Sequence, residues 1–523
     1  MEPEPAGPPP LQDAEATAVG VASTWRAAGE RGQAGAQTEA IARRESGVQA
    51  GGSAEAGTQT AGAAHAAAGG TGGLGAADPA ALLRLFGEVL PLVEEALREN
   101  VTSTAFSVPE QLLDDREASV EATETLRPFP QGNAHGLVCT GLSWSATGMV
   151  LAASFGRYDI SGWCEFPGAL ATWNLGARGG AREGHPEHVL ETAACLMCRK
   201  FHPQHPALVA GGAYSGELYV WDLSREGDTQ VGKSSITDVS HSEPVVQIAW
   251  HHDSARAGRR ANQNEDYHVV TLGADGKVLI WSIAGALDRP IFGYQLLHLH
   301  GETLKMVLWG GACLAFRERS FGRQDGAFLV GSDTGSVFRC FLDYNERALE
   351  QFAEAAGGPK PPKLNSPIKA EHLGHDGPVH AIQWSPHERN LFLTAGADSM
   401  IRIYSTLKAQ PLMALEPTRV ALLAAQWSPA RPLMLCAASA DGTLYFYDLN
   451  SNALHPSLAV DANGARDAVA ALCFNPMSKD YVATGDGKDG VVLWALGERL
   501  QDPLPAEHLY IERFAALALQ DDG

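Results

Sequence analysis

The chain has 523 residues, with 39 Lys and Arg against 61 Asp and Glu and a formal net charge of −22. That balance excludes a protein that wraps nucleic acid or lies on an anionic membrane, because both need clustered cations. The 56 Gly and 30 Pro mean either disorder or a fold built from many turns, and their placement decides which.

Residues 1–77 are dominated by Ala, Gly, Pro, Gln, Glu and Ser/Thr, with almost no aromatic residue beyond Trp25. Such a stretch buries too little apolar surface to offset its ordering entropy, so a disordered arm is expected. It opens MEPEPAGPPP, acidic and Pro-rich, the reverse of a secretory leader. No apolar run approaches the roughly 20 residues that span a bilayer. Two polar, β-branched stretches stand out in the arm: Thr58-Gln59-Thr60 and, lacking the leading Thr, Gln37-Thr38 after Ala36. Segments of this kind add as a strand to a partner's sheet edge, with alternate side chains in pockets. A plain polar linker is the competing reading.

Asp78-Pro79 has the form of an N-cap followed by proline at the first helical position. Leu82, Leu85, Phe86, Val89, Leu90, Val93 and Leu97 then recur at three and four, the stripe of an amphipathic helix over 78–100. Pro91 should kink or divide it. Residues 101–136 read as a linker.

From about residue 137 to 497 one unit recurs: strand, turn, strand, Gly/Asp turn, strand ending in an aromatic. Copies run over Leu142–Trp173, Cys195–Trp221, Val245–Trp281, Met306–Cys340, Val379–Tyr404, Leu422–Tyr447 and Val469–Trp494. Asp275 to Trp281, Asp398 to Tyr404 and Asp441 to Tyr447 are equally spaced, and Gly276, Gly442 and Gly490 follow an Asp where a tight turn demands positive φ. Each unit buries its faces only against neighbours, so seven must close a ring. The expected fold is all-β, a seven-bladed β-propeller preceded by the arm and the helix. Residues 498–523 form a tail in which Leu504–Leu519 has helical potential.

Catalytic and cofactor motifs are thin. Cys195-x2-Cys198-x3-His202-x2-His205 has ligand types suited to zinc. The segment, however, fills the place of a blade strand, where alternation sends Cys195 and Cys198 to opposite faces. Gly70-Thr71-Gly72-Gly73-Leu74-Gly75 matches dinucleotide spacing but follows no strand. Phosphate-loop, nucleophile-elbow and HExxH patterns are missing, and Asp275, Asp398, Asp441 and Asp489 recur as turn residues. No catalytic residue, metal or cofactor is expected, and the chain is not read as an enzyme.

The repeats resemble the WD-repeat family, although only Trp221-Asp222 shows the literal pair, with Tyr447-Asp448 close to it. The order of parts, and non-consensus stretches such as "GGAYSGELYVWDLS" and "RNLFLTAGADSMIRIYS", resemble the dynein intermediate chains, most of all the shorter WD-repeat chain of cytoplasmic dynein 2. That resemblance implies a non-catalytic subunit of the retrograde motor of intraflagellar transport, in the cytoplasm and in the cilium or flagellum at axoneme and basal body. It implies a propeller that grips the motor heavy chain, and an arm zipped to a second intermediate chain by light-chain dimers. Thr58, Gln59 and Thr60 would take the hub-type light chain, with Gln37 and Thr38 a weaker site. The helix, through Leu82, Leu85, Phe86, Val89, Leu90, Val93 and Leu97, would take the roadblock type; a Tctex-type light chain is a further expected partner. An axonemal-dynein intermediate chain, or a general WD scaffold such as a ubiquitin-ligase substrate receptor, remains an alternative.

Overall fold

The computed structural model describes residues 118–519, apart from residues 130–131, 134–135, 160–165, 177–183, 253–266, 285–286, 300–304, 319–323, 359–360, 453, 465 and 489, together with part of a helix between residues 86 and 98. The arm 1–77, the Asp78-Pro79 cap and the Gly70–Gly75 motif lie outside those residues.

Seven four-stranded antiparallel sheets follow one another along the chain. They occupy residues 138–192, 196–233, 245–295, 311–372, 379–415 and 422–461 as blades 1 to 6, and 469–496 with 120–126 as blade 7. The first strand of each blade touches the first strands of both neighbouring blades, so these seven strands line the axis. The apolar core divides accordingly into seven clusters among the described residues, one per blade interface. The aromatic that ends each third strand enters the cluster shared with the preceding blade: Trp221 against blade 1, Trp281 against blade 2, Tyr404 against blade 4 and Tyr447 against blade 5. Burying one such ring contributes roughly 1.5–3 kcal/mol, so each blade is held chiefly by its neighbours.

Two boundaries and one turn differ from the sequence expectation. First, Val120–Leu126, inside the span read as a linker, pairs antiparallel with Val491–Leu496 and supplies the outer strand of blade 7. Its only fully buried residue is Leu126, so backbone pairing rather than an apolar face recruits it. Second, Met306–Leu308 does not begin blade 4. It forms a separate hairpin with Leu297–Leu299, and blade 4 starts at Gly311–Glu318. Third, Gly490 is not among the positive-φ residues, whereas Gly276 (φ 69°) and Gly442 (φ 85°) are. In the last blade the Asp486 carboxylate accepts from the Lys488 and Gly490 amides instead and closes the turn by side-chain capping.

At the same turn in blade 5 the left-handed position falls to Ser399 (φ 64°), a residue with a Cβ. That conformation costs an L-residue about 1–2 kcal/mol, while glycine costs roughly 0.5–1 kcal/mol of backbone entropy. Ser399→Gly is therefore expected to stabilise the protein slightly, read as a higher urea midpoint at unchanged slope.

The blade hydrogen-bond network forms without the Trp-Asp pair. In blade 3, His241 bridges Asp275 (3.1 Å) and Thr271 (2.7 Å), and Trp281 Nε1 donates to the same Thr271 hydroxyl (2.9 Å), although Ser282 follows Trp281. Blade 5 repeats this with His375, Asp398 and Thr394. Burial works against the Asp275 charge, but His241 and neighbouring donors outweigh it and hold the carboxyl well below its usual range. Blade 2, with the literal Trp221-Asp222, instead stacks Trp221 on Tyr219.

Two additions brace the ring. The insert after blade 4's third strand carries a helix, Glu346–Ala356, capped by Asn345, and its Phe352 packs in the blade 3–4 cluster. The tail forms helices Glu498–Gln501 and Glu507–Ala516. No helix among the described residues is long and apolar enough to cross a membrane.

Candidate interaction surfaces

Among the expected contact residues of the amphipathic segment, Phe86, Leu90 and Val93 are exposed on helical backbone, and Val89 is half-buried. Phe86, Leu90 and Val93 are four and three apart, so they share one face. Leu92 is exposed as well. Leu82, Leu85 and Leu97 lie outside the described residues, as do Thr58, Gln59, Thr60, Gln37 and Thr38. Helical residues stand on both sides of Pro91, so the proline does not divide the segment. The carbonyl its ring would press on belongs to Gly87, whose backbone has freedom to yield. This helix therefore presents a contiguous apolar stripe that the described part of the propeller does not cover, the form of a partner-binding face.

The propeller offers two further apolar features that the repeat pattern did not reveal. In the hairpin between blades 3 and 4, Leu299 faces Met306 and Leu297 faces Leu308 across the strands. Strand alternation puts all four on one side, and Leu299, Met306 and Leu308 are exposed. On the opposite rim, Met149, Met477 and Tyr481 are exposed. There Pro429, Pro476, Met477 and Lys479 border an open cleft of about 440 Å³. No short sequence signal marks either feature, because Met-Val-Leu reads locally as one more blade strand.

The tail helix is clasped to blades 5 and 6. Tyr510, Ile511 and Phe514 join the cluster of Leu393, Ile403, Leu433 and Leu435. Beside them Arg431, from a blade 6 turn, donates through Nε to Glu507 (2.9 Å) and through Nη2 to Asp448 (3.1 Å), and its other nitrogen meets the Arg499 carbonyl. All three ionic side chains are buried. The tail thus covers this stretch of the propeller instead of leaving it free.

The cysteine-histidine motif separates as strand alternation requires. Cys195 lies in the cluster shared with blades 1 and 7, while Cys198 lies in the one shared with blade 3 and donates to the Val245 carbonyl. His202 Nδ1 accepts from the Gln204 and His205 amides, and its ring packs against Trp250 and Tyr267. These are strand and turn roles.

The WD domain, G-beta repeat model matches residues 367–405, the span containing the His375–Thr394–Asp398 network. The mouse protein named cytoplasmic dynein 2 intermediate chain 2 is 33% identical over 507 residues, covering 96% of this chain and 91% of the mouse protein. The chain belongs to the cytoplasmic dynein 2 intermediate chain family. The human protein of the same name is 32% identical over 84% of this chain and 79% of its own length. A rat dynein axonemal intermediate chain 4 is 24% identical over 73% of this chain but only 44% of that protein. The dynein 2 match thus extends beyond the propeller repeats, whereas the axonemal match leaves more than half of its counterpart unaligned.

Proposed function

We propose that this dynein 2 intermediate chain is a non-catalytic scaffold of the retrograde intraflagellar-transport motor, working in the cytoplasm and in the cilium. Similarity over almost the full length of a dynein 2 intermediate chain carries the reading. The propeller grips the motor heavy chain, and the arm and helix bind light-chain dimers that pair it with a second intermediate chain. Thr58–Thr60 is the hub-type station, with Gln37-Thr38 weaker. The stripe containing Phe86, Leu90 and Val93 is the roadblock-type station, and a Tctex-type dimer is a third partner. Each contact is weak alone. Bivalent dimers tether two arms, so later contacts form at high effective concentration.

Affinity purification of the full chain tests this directly. A dynein 2 heavy chain with light chains is expected; an axonemal heavy chain, or a ubiquitin-ligase core, overturns it. Replacing Thr58, Gln59 and Thr60 with Ala is expected to abolish hub-type capture at that site, checked by calorimetry on an arm peptide. Undiminished binding of the altered peptide removes the assignment.

A further inference from the structure

On the first strand of blade 2, Leu196–Phe201, Arg199 pairs with Gly211 and turns toward blade 1 near the axis. Its guanidinium rests against Gly141, where any Cβ would collide with it. A side chain at 141 would have to displace the guanidinium from this place. Arg199 is half-buried, and its Nε is buried without an acceptor. Among the described residues the guanidinium forms no hydrogen bond or ion pair.

Among the described residues, the groups around it are mostly neutral or already engaged. Cys139, Cys473, Cys198 and Tyr158 lie within electrostatic reach. Burial pushes the Cys139 and Cys198 thiols up to about 12, and it raises the Tyr158 phenol as well, so these three are neutral at physiological pH. The Thr140 hydroxyl is engaged with Ser154 and the Leu196 carbonyl. Asp159 is paired with Arg157, and Asp486 caps its own turn. Among the described residues, no acidic side chain is hydrogen-bonded to this cation or forms an ion pair with it. An arginine whose Nε is buried without an acceptor, at the base of a fork that bonds to none of the described residues, is incomplete as it stands.

We infer that the axial slot at Arg199 and Gly141 is a carboxylate-binding site, taking the carboxyl terminus or an acidic side chain of a peptide, or a small free carboxylate. A planar carboxylate matches the guanidinium fork bidentately. The single positive charge balances a monoanion; a phosphate dianion would want a second cation, and none among the described residues is placed beside this one. The site is independent of the dynein assignment and of the light-chain stations, because it lies in the ring itself.

The test uses the full chain labelled with 15N-arginine. The Arg199 Nε–H signal is assigned by its loss in Arg199→Lys and Arg199→Met. Acetate, a tripeptide with a free carboxyl terminus, and a terminally amidated tripeptide carrying one glutamate are titrated to about 100 mM, enough for a millimolar Kd. Chloride and phosphate at matched ionic strength are the comparisons. A saturable shift of that signal by at least one carboxylate, at least about ten-fold tighter than chloride, is the expected result, and the tightest arm names the source. No saturable shift, a shift matched by chloride, or tighter binding of phosphate overturns the site. Thermal melts give an independent readout. Acetate should raise the midpoint of the native chain and not that of Arg199→Met; equal effects on both would count against the slot.

Discussion

A fragment starting at residue 137, where the repeat pattern begins, is expected to self-associate and to melt far below one starting at residue 118. The shorter fragment lacks Val120–Leu126, so blade 7 keeps three strands. The new edge is Val491–Leu496, sequence VVLWAL, a flat apolar strand of the kind that templates edge-to-edge pairing. Six strand partners disappear with it, from Val120–Leu496 to Leu126–Val491. The Thr123 hydroxyl bond to the Leu493 carbonyl is lost too, as is the bond from the Gly497 amide to Ser119. Losing even one buried apolar side chain such as Leu126 costs about 2–5 kcal/mol, a large share of a typical stability margin. Size-exclusion chromatography and thermal melts of the two fragments check the result. Two monomeric, equally stable fragments would show that the ring does not need this strand.

Replacing Arg431 with Ala is expected to cost about 3–5 kcal/mol and to free the tail helix. The guanidinium bridges Glu507 and Asp448, and all three are buried. Without it two carboxylates face each other in a site where Glu507 Oε2 already lacks a donor. Urea denaturation measures the loss, and hydrogen exchange over 507–516 reports whether the clasp opens first. The double change Arg431→Met with Glu507→Leu should recover part of the loss, because it leaves one buried carboxylate, Asp448, without its arginine instead of two. If Arg431→Ala alone proves neutral, the triad is not what secures the tail.

The blades were legible because their turns are local chemistry. Asp275-Gly276 and Asp441-Gly442 need positive φ at a fixed distance from an aromatic, and that distance is written in the chain. Seven units and the stacking of their terminal aromatics follow from it. What stayed hidden depends on partners far away in sequence. Val120–Leu126 has mostly exposed side chains, so it carries no hydrophobic alternation, and its partner strand lies at the other end of the chain. Met306–Leu308 carries the same apolar signal as a blade strand, and only its pairing with Leu297–Leu299 separates it. Arg431 reads as a turn residue in "WSPARPL"; its burial is intelligible only with Glu507, which is 76 positions away. Arg199 carries no local signal, since nothing in its own strand records that Gly141 of the preceding blade lies against its guanidinium.

Closing the last blade with an early strand also sets a clock. Thr123 and Leu493 are 370 positions apart. At roughly 5–20 residues per second, the ribosome takes on the order of 20–70 s to deliver the partner that Val120–Leu126 awaits. Six blades can assemble in succession behind the moving exit point, but the circle is joined only once Val491–Leu496 has emerged. A product cut short anywhere before Val491 never reaches that junction. Its first strand stays unpaired and advertises the defect to quality-control machinery, so the fold inspects its own completeness.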